Sequence, residues 1–107
     1  MGKYLLKVSY TADGIKGVMK DGGSGRVAAV EKALAGVGGS LESFYFAFGT
    51  DDVYVIANVP DNATAMAMAA AIGASGAISR YETVVLLTPA EVDTAMQTAV
   101  AYRAPGS

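Results

Sequence analysis

Between Lys3 and Tyr10, Tyr4, Leu6, Val8 and Tyr10 fall on one side of the chain and Lys7 and Ser9 on the other. This period of two predicts a β-strand. Thr11 stands where it can cap a helix from Ala12 to about Lys20. Asp21-Gly22-Gly23-Ser24-Gly25 interrupts the helical pattern, which resumes from Arg26 to Val37. In that second stretch Val27, Val30, Ala33, Leu34 and Val37 recur at helical spacing, and Gly38-Gly39 stops it. Phe44 to Val59 reads as a β-hairpin, two aromatic and β-branched runs flanking the turn Gly49-Thr50-Asp51-Asp52. Its strands lie near Ser40–Phe48 and Asp52–Val59. Pro60 ends the second strand, and Asp61 is an N-cap for a helix of Ala and Met reaching about Ala74. A last strand runs from Ala77 to Leu87. Thr88-Pro89-Ala90-Glu91 then combines a capping box with proline at the first helical position. The helix it opens is predicted to reach about Tyr102, leaving the tail Arg103–Ser107.

The order is βαββαβ plus a terminal helix. It predicts an α+β, ferredoxin-like antiparallel sheet with its helices on one face. The first strand then sits in the middle of the sheet, between the third and fourth. Val53, Val55, Ala57 and Val59 suit the helix side, while Tyr54, Ile56 and Asn58 occupy the other. In the preceding strand, Phe44, Phe46 and Phe48 share one side, and Leu41, Tyr45 and Ala47 the other. Both sides of the hairpin want burial, and an exposed apolar patch of that size marks an interaction surface. The simplest remedy is a sheet-to-sheet homodimer, or a higher oligomer, enclosing a barrel-like interior.

Composition narrows the chemistry. A chain of 107 residues is one domain spanning 1–107. Charged residues make up 17% and apolar residues 52%, against about 25% charged in average domains. The apolar surplus is partly alanine and partly a face that wants a partner. A net charge of −2 without a basic cluster argues against nucleic acid. The chain has no Cys and no His, which removes the usual zinc and copper ligands and any Ser-His-Asp or Cys-His nucleophile. No metal and no cofactor are expected, and the absence of Cys fits a reducing compartment. The N-terminal segment lacks the apolar core of a signal peptide, and Leu6 stands where myristoylation needs Ser or Thr. Ala63–Ala74 is too short to span a bilayer. The expectation is a soluble, cytoplasmic protein without a membrane partner.

Four places can carry function. On the uncovered sheet face, Lys7 and Ser9 are expected beside Tyr54 and Asn58 on one side and Glu82 on the other. A partly desolvated lysine next to a carboxylate and a phenol can bind an anion or move a proton. The plainer reading, and the favoured one, is a Lys7–Glu82 ion pair at a dimer interface. If the interior stays open, Phe44, Phe46, Tyr54 and Ile56 line a pocket for a small apolar or anionic ligand oriented by Lys7. The second place is the glycine-rich stretch Gly22, Gly23, Ser24 and Arg26, with Lys20 nearby. It reads as an anion-holding or lid loop, although it lacks a P-loop's lysine and follows a helix, and a plain connector is favoured. The third is Asp51-Asp52, two carboxylates that can share a hard cation but are better explained by turn chemistry. The fourth is Tyr102-Arg103 in the tail, able to lie across a neighbouring subunit.

Several of these segments resemble the GYD-domain family of small bacterial proteins. KYLLKVSYTADGIKGVMKDGG is similar to the family's first strand and helix. FYFAFGTDDVYVIANVPDN resembles its signature hairpin, VVLLTPAEVD its closing strand and helix, and AYRAPG its ending. The Gly-Tyr-Asp of the name is altered, since Thr50-Asp51 stands between Gly49 and Asp52. The resemblance implies a dimeric α/β barrel of ferredoxin-like topology and carries over no catalytic residues. Three functions remain open: a homo-oligomeric small-molecule binding module, a purely structural assembly unit, or a cofactor-free enzyme resembling small monooxygenases or isomerases of the dimeric α/β-barrel type. Without His, the enzyme would have to use Lys7, Tyr45 or Tyr54.

Overall fold

A computed structural model describes all residues from 1 to 107. The elements are β1 (Gly2–Tyr10), α1 (Ala12–Gly36), β2 (Ser40–Phe46), β3 (Val53–Val59), α2 (Asn62–Gly73), β4 (Ile78–Leu86) and α3 (Pro89–Met96). The four strands form one antiparallel sheet in the order β2-β3-β1-β4. This is the ferredoxin-like α+β arrangement expected from the order of elements, with β1 central.

Alternation builds the core. Tyr4, Leu6 and Val8 of β1 and Val53, Val55, Ala57 and Val59 of β3 are buried together against Leu34 of α1 and Ala65 and Met68 of α2. The Tyr4 hydroxyl donates to Asn62 Oδ1 at 2.5 Å and ties the sheet to the start of α2. Local capping follows the sequence closely. Thr11 accepts from the Gly14 amide at 3.1 Å, Asp61 from the Thr64 amide at 2.8 Å, and Thr88 and Glu91 form a reciprocal capping box.

Three expectations need correction. The glycine-rich stretch is not a loop: α1 continues through it, and only Gly22 leaves the helix, at φ 76° and ψ 164°. A glycine reaches that conformation without a Cβ penalty, so one residue suffices to kink the helix. Gly23, Ser24 and Arg26 are therefore helical, and Arg26 pairs back to Asp21 across the kink at 3.6 Å. The hairpin strands are shorter than expected, because residues 47–52 form the connection and Phe48 is fully exposed. Finally, α3 ends at Met96 rather than Tyr102. Every residue from 89 to 107 is exposed, so no tertiary contact prolongs a short helix through the β-branched Thr98 and Val100.

Two substitutions test this packing. Leu34 is completely buried, and Leu34→Ala is expected to cost about 2–5 kcal/mol in chemical denaturation. Gly14 faces the Ala77 carbonyl so closely that a Cβ would lie 2.1 Å from its oxygen. Gly14→Ala should therefore force α1 away from the start of β4 and lower the melting temperature, although Ala favours helix elsewhere. An unchanged melting temperature would contradict this close approach.

Candidate functional site

The sheet's second face has no helix over it. The registers put Lys3, Leu5, Lys7 and Ser9 of β1 on this side, opposite Asn58, Ile56 and Tyr54 on β3 and Leu86, Val84, Glu82 and Arg80 on β4. Its middle is apolar. A charged cluster closes the end nearest the β2–β3 connection. There Asp51, only 3% exposed, accepts from Arg80 Nε at 3.1 Å, Arg80 Nη2 at 2.7 Å and Ser9 Oγ at 3.1 Å. Lys7 Nζ stands 3.7 Å from Asp51 and 3.2 Å from Glu82. Arg80 also donates to the Thr50 carbonyl at 2.6 Å, clamping the hairpin tip to β4 across β1. Asp52 points the other way, accepting from the Tyr10 amide at 2.9 Å.

This electrostatics favours full ionisation. Hydrogen bonds from Arg80, then from Ser9, with the charges of Arg80 and Lys7, hold the Asp51 carboxyl below the usual carboxylate range. The Glu82 carboxylate beside Lys7 pushes the ammonium's pKa up, with smaller contributions from Asp51 and Tyr54. A general base working near neutrality needs the opposite shift in a lysine. Asp51 is committed to Arg80, Ser9 and Lys7, which removes it as half of a cation-binding pair with Asp52.

The expected partners of Lys7 come together in part. The Lys7–Glu82 pair forms as anticipated, Tyr54 lies directly opposite Lys7, and Ser9 joins through Asp51. Asn58 does not: it pairs in register with Lys3 at the far end of the face. Phe44 and Phe46 also leave the site. They oppose Val55 and Val53 and therefore share the helix side, whereas Tyr45 faces Tyr54 on the open side. The register slips at Glu42, between Leu41 and Ser43, so Leu41 joins Phe44 against the core instead of sharing a side with Tyr45. Arg80 has no place in the sequence reading, and Asp51, read there as a turn residue, belongs to this cluster. Alternation along β4 from Glu82 would have put Arg80 on this face, but Asp51 reaches it only through the path of the connection.

The helix side holds the molecule's other notable feature. A cavity of about 130 Å³ lies between the second arm of α1, α2 and the sheet, and 13 of its 14 lining residues are apolar. The exception is Arg26. Tyr10 and Tyr81 line it too, and the Tyr81 hydroxyl is sealed from solvent beside Thr83. Burial pushes the Tyr81 phenol up, offset only in part by Thr83 nearby. Burial also raises Tyr10, and the Arg26 guanidinium beside it pulls the other way. Arg26, Tyr10, Ile72 and Ile78 continue into a more polar surface groove of about 380 Å³ that includes Asp13 and Asp21.

Fold and sites together define a small ferredoxin-like domain with one uncovered sheet face and a cavity behind the other. The GYD domain model matches residues 4–96. The chain belongs to the GYD-domain family. That is a family of small proteins without an assigned reaction, so membership establishes the fold and not a chemistry. No match was found among curated proteins or among solved structures. No helix is long and apolar enough to cross a membrane.

Acid titration tests the clamp at the hairpin tip. Because folding lowers the Asp51 pKa, its stabilisation is present above the unfolded value, about 3.9, and is lost as pH falls through the lower folded value. Asp51→Asn is expected to lower the melting temperature at neutral pH by stranding Arg80. The gap from wild type should begin to narrow as pH drops below about 4, where the unfolded carboxyl gains its proton, and close once the folded carboxyl does so at its lower value. Thermal melts giving a pH-independent gap would rule out the carboxylate's charge as the stabilising element.

Proposed function

We propose that the chain is a self-associating module in which the open sheet face packs against the same face of a second copy. The observation that carries this reading is the face itself. Leu5, Ile56, Val84 and Leu86 form an apolar centre, half-buried only by one another and their neighbours. The charges at its ends balance: Lys3 pairs with Glu42 at 2.5 Å, and Lys7 and Arg80 are matched by Asp51 and Glu82. A face neutral in this way meets its own copy without like-charge repulsion and selects no strongly charged partner.

Surface arithmetic supports the same conclusion. The chain exposes 7049 Å² at a mass of 10.9 kDa, whereas a compact monomer of that mass exposes about 5,600 Å². The excess is more than the roughly 800 Å² that each partner contributes to a standard interface. The radius of gyration is 16.9 Å, against about 13 Å for a compact chain of this length. Only 12 of 107 residues are buried, so much of the apolar surplus still lacks cover. Part of it lies on the C-terminal arm, where Val92, Met96, Val100 and Tyr102 are exposed; the arm would add to the contact by lying across the neighbouring copy.

Assembly, rather than a ligand held between the sheets, is the reading this face favours. Phe44 packs on the helix-side core, Phe46 lies on the same side, and the apolar cavity and adjoining groove are on that side too. Proton transfer by Lys7, the enzymatic alternative, finds no support in surroundings that stabilise the ammonium form.

Sedimentation velocity at micromolar concentration is expected to give a dimer or larger species. Val84→Glu or Ile56→Glu should shift it towards monomer while circular dichroism retains the fold. Thr83→Glu, exposed and on the helix side, should leave assembly unchanged. A wild-type monomer in that range would refute self-association.

A further inference from the structure

The helix-side cavity lies within one protomer, and the inference drawn from it goes beyond assembly. We infer that it is a binding site for a compact aromatic carboxylate, with the ring held between α1, α2 and the sheet and the carboxylate held by Arg26. The cavity is open on one side, and Ala29 and Ala33 of the second arm of α1, which line it, are exposed. At about 130 Å³ its room is close to that of an apolar cavity of about 150 Å³ that takes up benzene, enough to seat one ring. The short side chains at these two positions leave that room.

The polar groups are few and specifically sited. Arg26 is the one charged residue lining the cavity, and it also lines the outer groove, so its guanidinium stands at the mouth. Its link to Asp21 is long, 3.6 Å, and both side chains are partly exposed, at 34% and 46%. An exposed pair of this kind is worth little and yields readily to a better partner. A carboxylate entering from the groove offers one, since guanidinium and carboxylate pair through two parallel hydrogen bonds. The Tyr81 ring lines the cavity, but its hydroxyl is sealed from solvent beside Thr83 and out of a ligand's reach, so Arg26 is the polar group a ligand meets. Neither the uncharged cavity wall nor the single arginine suits a polyanion such as a nucleotide.

The experiment uses the full chain in whatever assembly it adopts, with benzoate, 4-hydroxybenzoate, toluene and acetate as probes. Amide and methyl resonances of Ala29, Ala33, Val53 and Ile72 are followed by NMR titration. Both benzoates are expected to shift these resonances saturably, and acetate to leave them unmoved. Arg26→Met should weaken benzoate by roughly tenfold or more, the loss of a charge-assisted bond, while toluene binding persists. Ala33→Leu should fill the space and abolish binding of all three ring compounds. Failure of both benzoates to shift these resonances at millimolar concentration would overturn the proposal, as would equal loss of benzoate and toluene in a folded Arg26→Met. Because the site lies within one protomer, a monomeric protein that still binds benzoate would refute assembly and leave this inference standing.

Discussion

A four-stranded sheet has two faces, and this chain supplies packed helices for one. That constraint organises the rest of the molecule. With β1 and β3 in the centre, the side chains at every second position are buried against α1 and α2. The intervening positions carry Leu5, Ile56 and Val84, which are not solvent-seeking residues. An antiparallel sheet with one solvated face ordinarily alternates apolar and polar residues. Here the alternation is incomplete, and the apolar centre on the open side is the physical reason for expecting a second copy.

The charged groups at the edge of that face serve the same end. Asp51 gathers Arg80, Ser9 and Lys7, and so fixes the β2–β3 connection over the end of β1. Each charge is matched by an opposite one, and the shifts of Asp51 and Lys7 hold both in their ionised forms. Room for a small molecule lies behind the sheet, in an open apolar cavity where Arg26 is the exceptional polar residue. The two proposals divide between the two faces, a second copy on the open one and a small molecule behind the other.

Local and periodic features were legible in the sequence. The alternation of β1 and β3 was readable because each buried position is apolar, and the caps at Thr11, Asp61 and Thr88 were readable because side chain and amide lie three residues apart. The Lys7–Glu82 pair followed from placing β1 beside β4. Features that depend on a single residue of register were not. One irregularity at Glu42 is enough to put Leu41 on the side of Phe44, and the pairing of Phe44 with Val55 turns that ring towards the helices. The contact between Asp51 and Arg80 joins residues 29 positions apart through a connection of no regular period. Nor does a helical pattern reveal a cavity: it groups Val30, Ala33 and Leu34 on one face, but does not say whether neighbouring side chains fill the space beside them.

The central claim concerns which surface is covered, and a mixed-isotope sample tests it directly. Copies carrying labelled methyl groups would be combined with unlabelled copies and inspected for nuclear Overhauser contacts between chains. Such contacts are expected from Leu5, Ile56, Val84 and Leu86. Contacts confined to the helices, or none between chains at concentrations where the protein sediments as an oligomer, would contradict it.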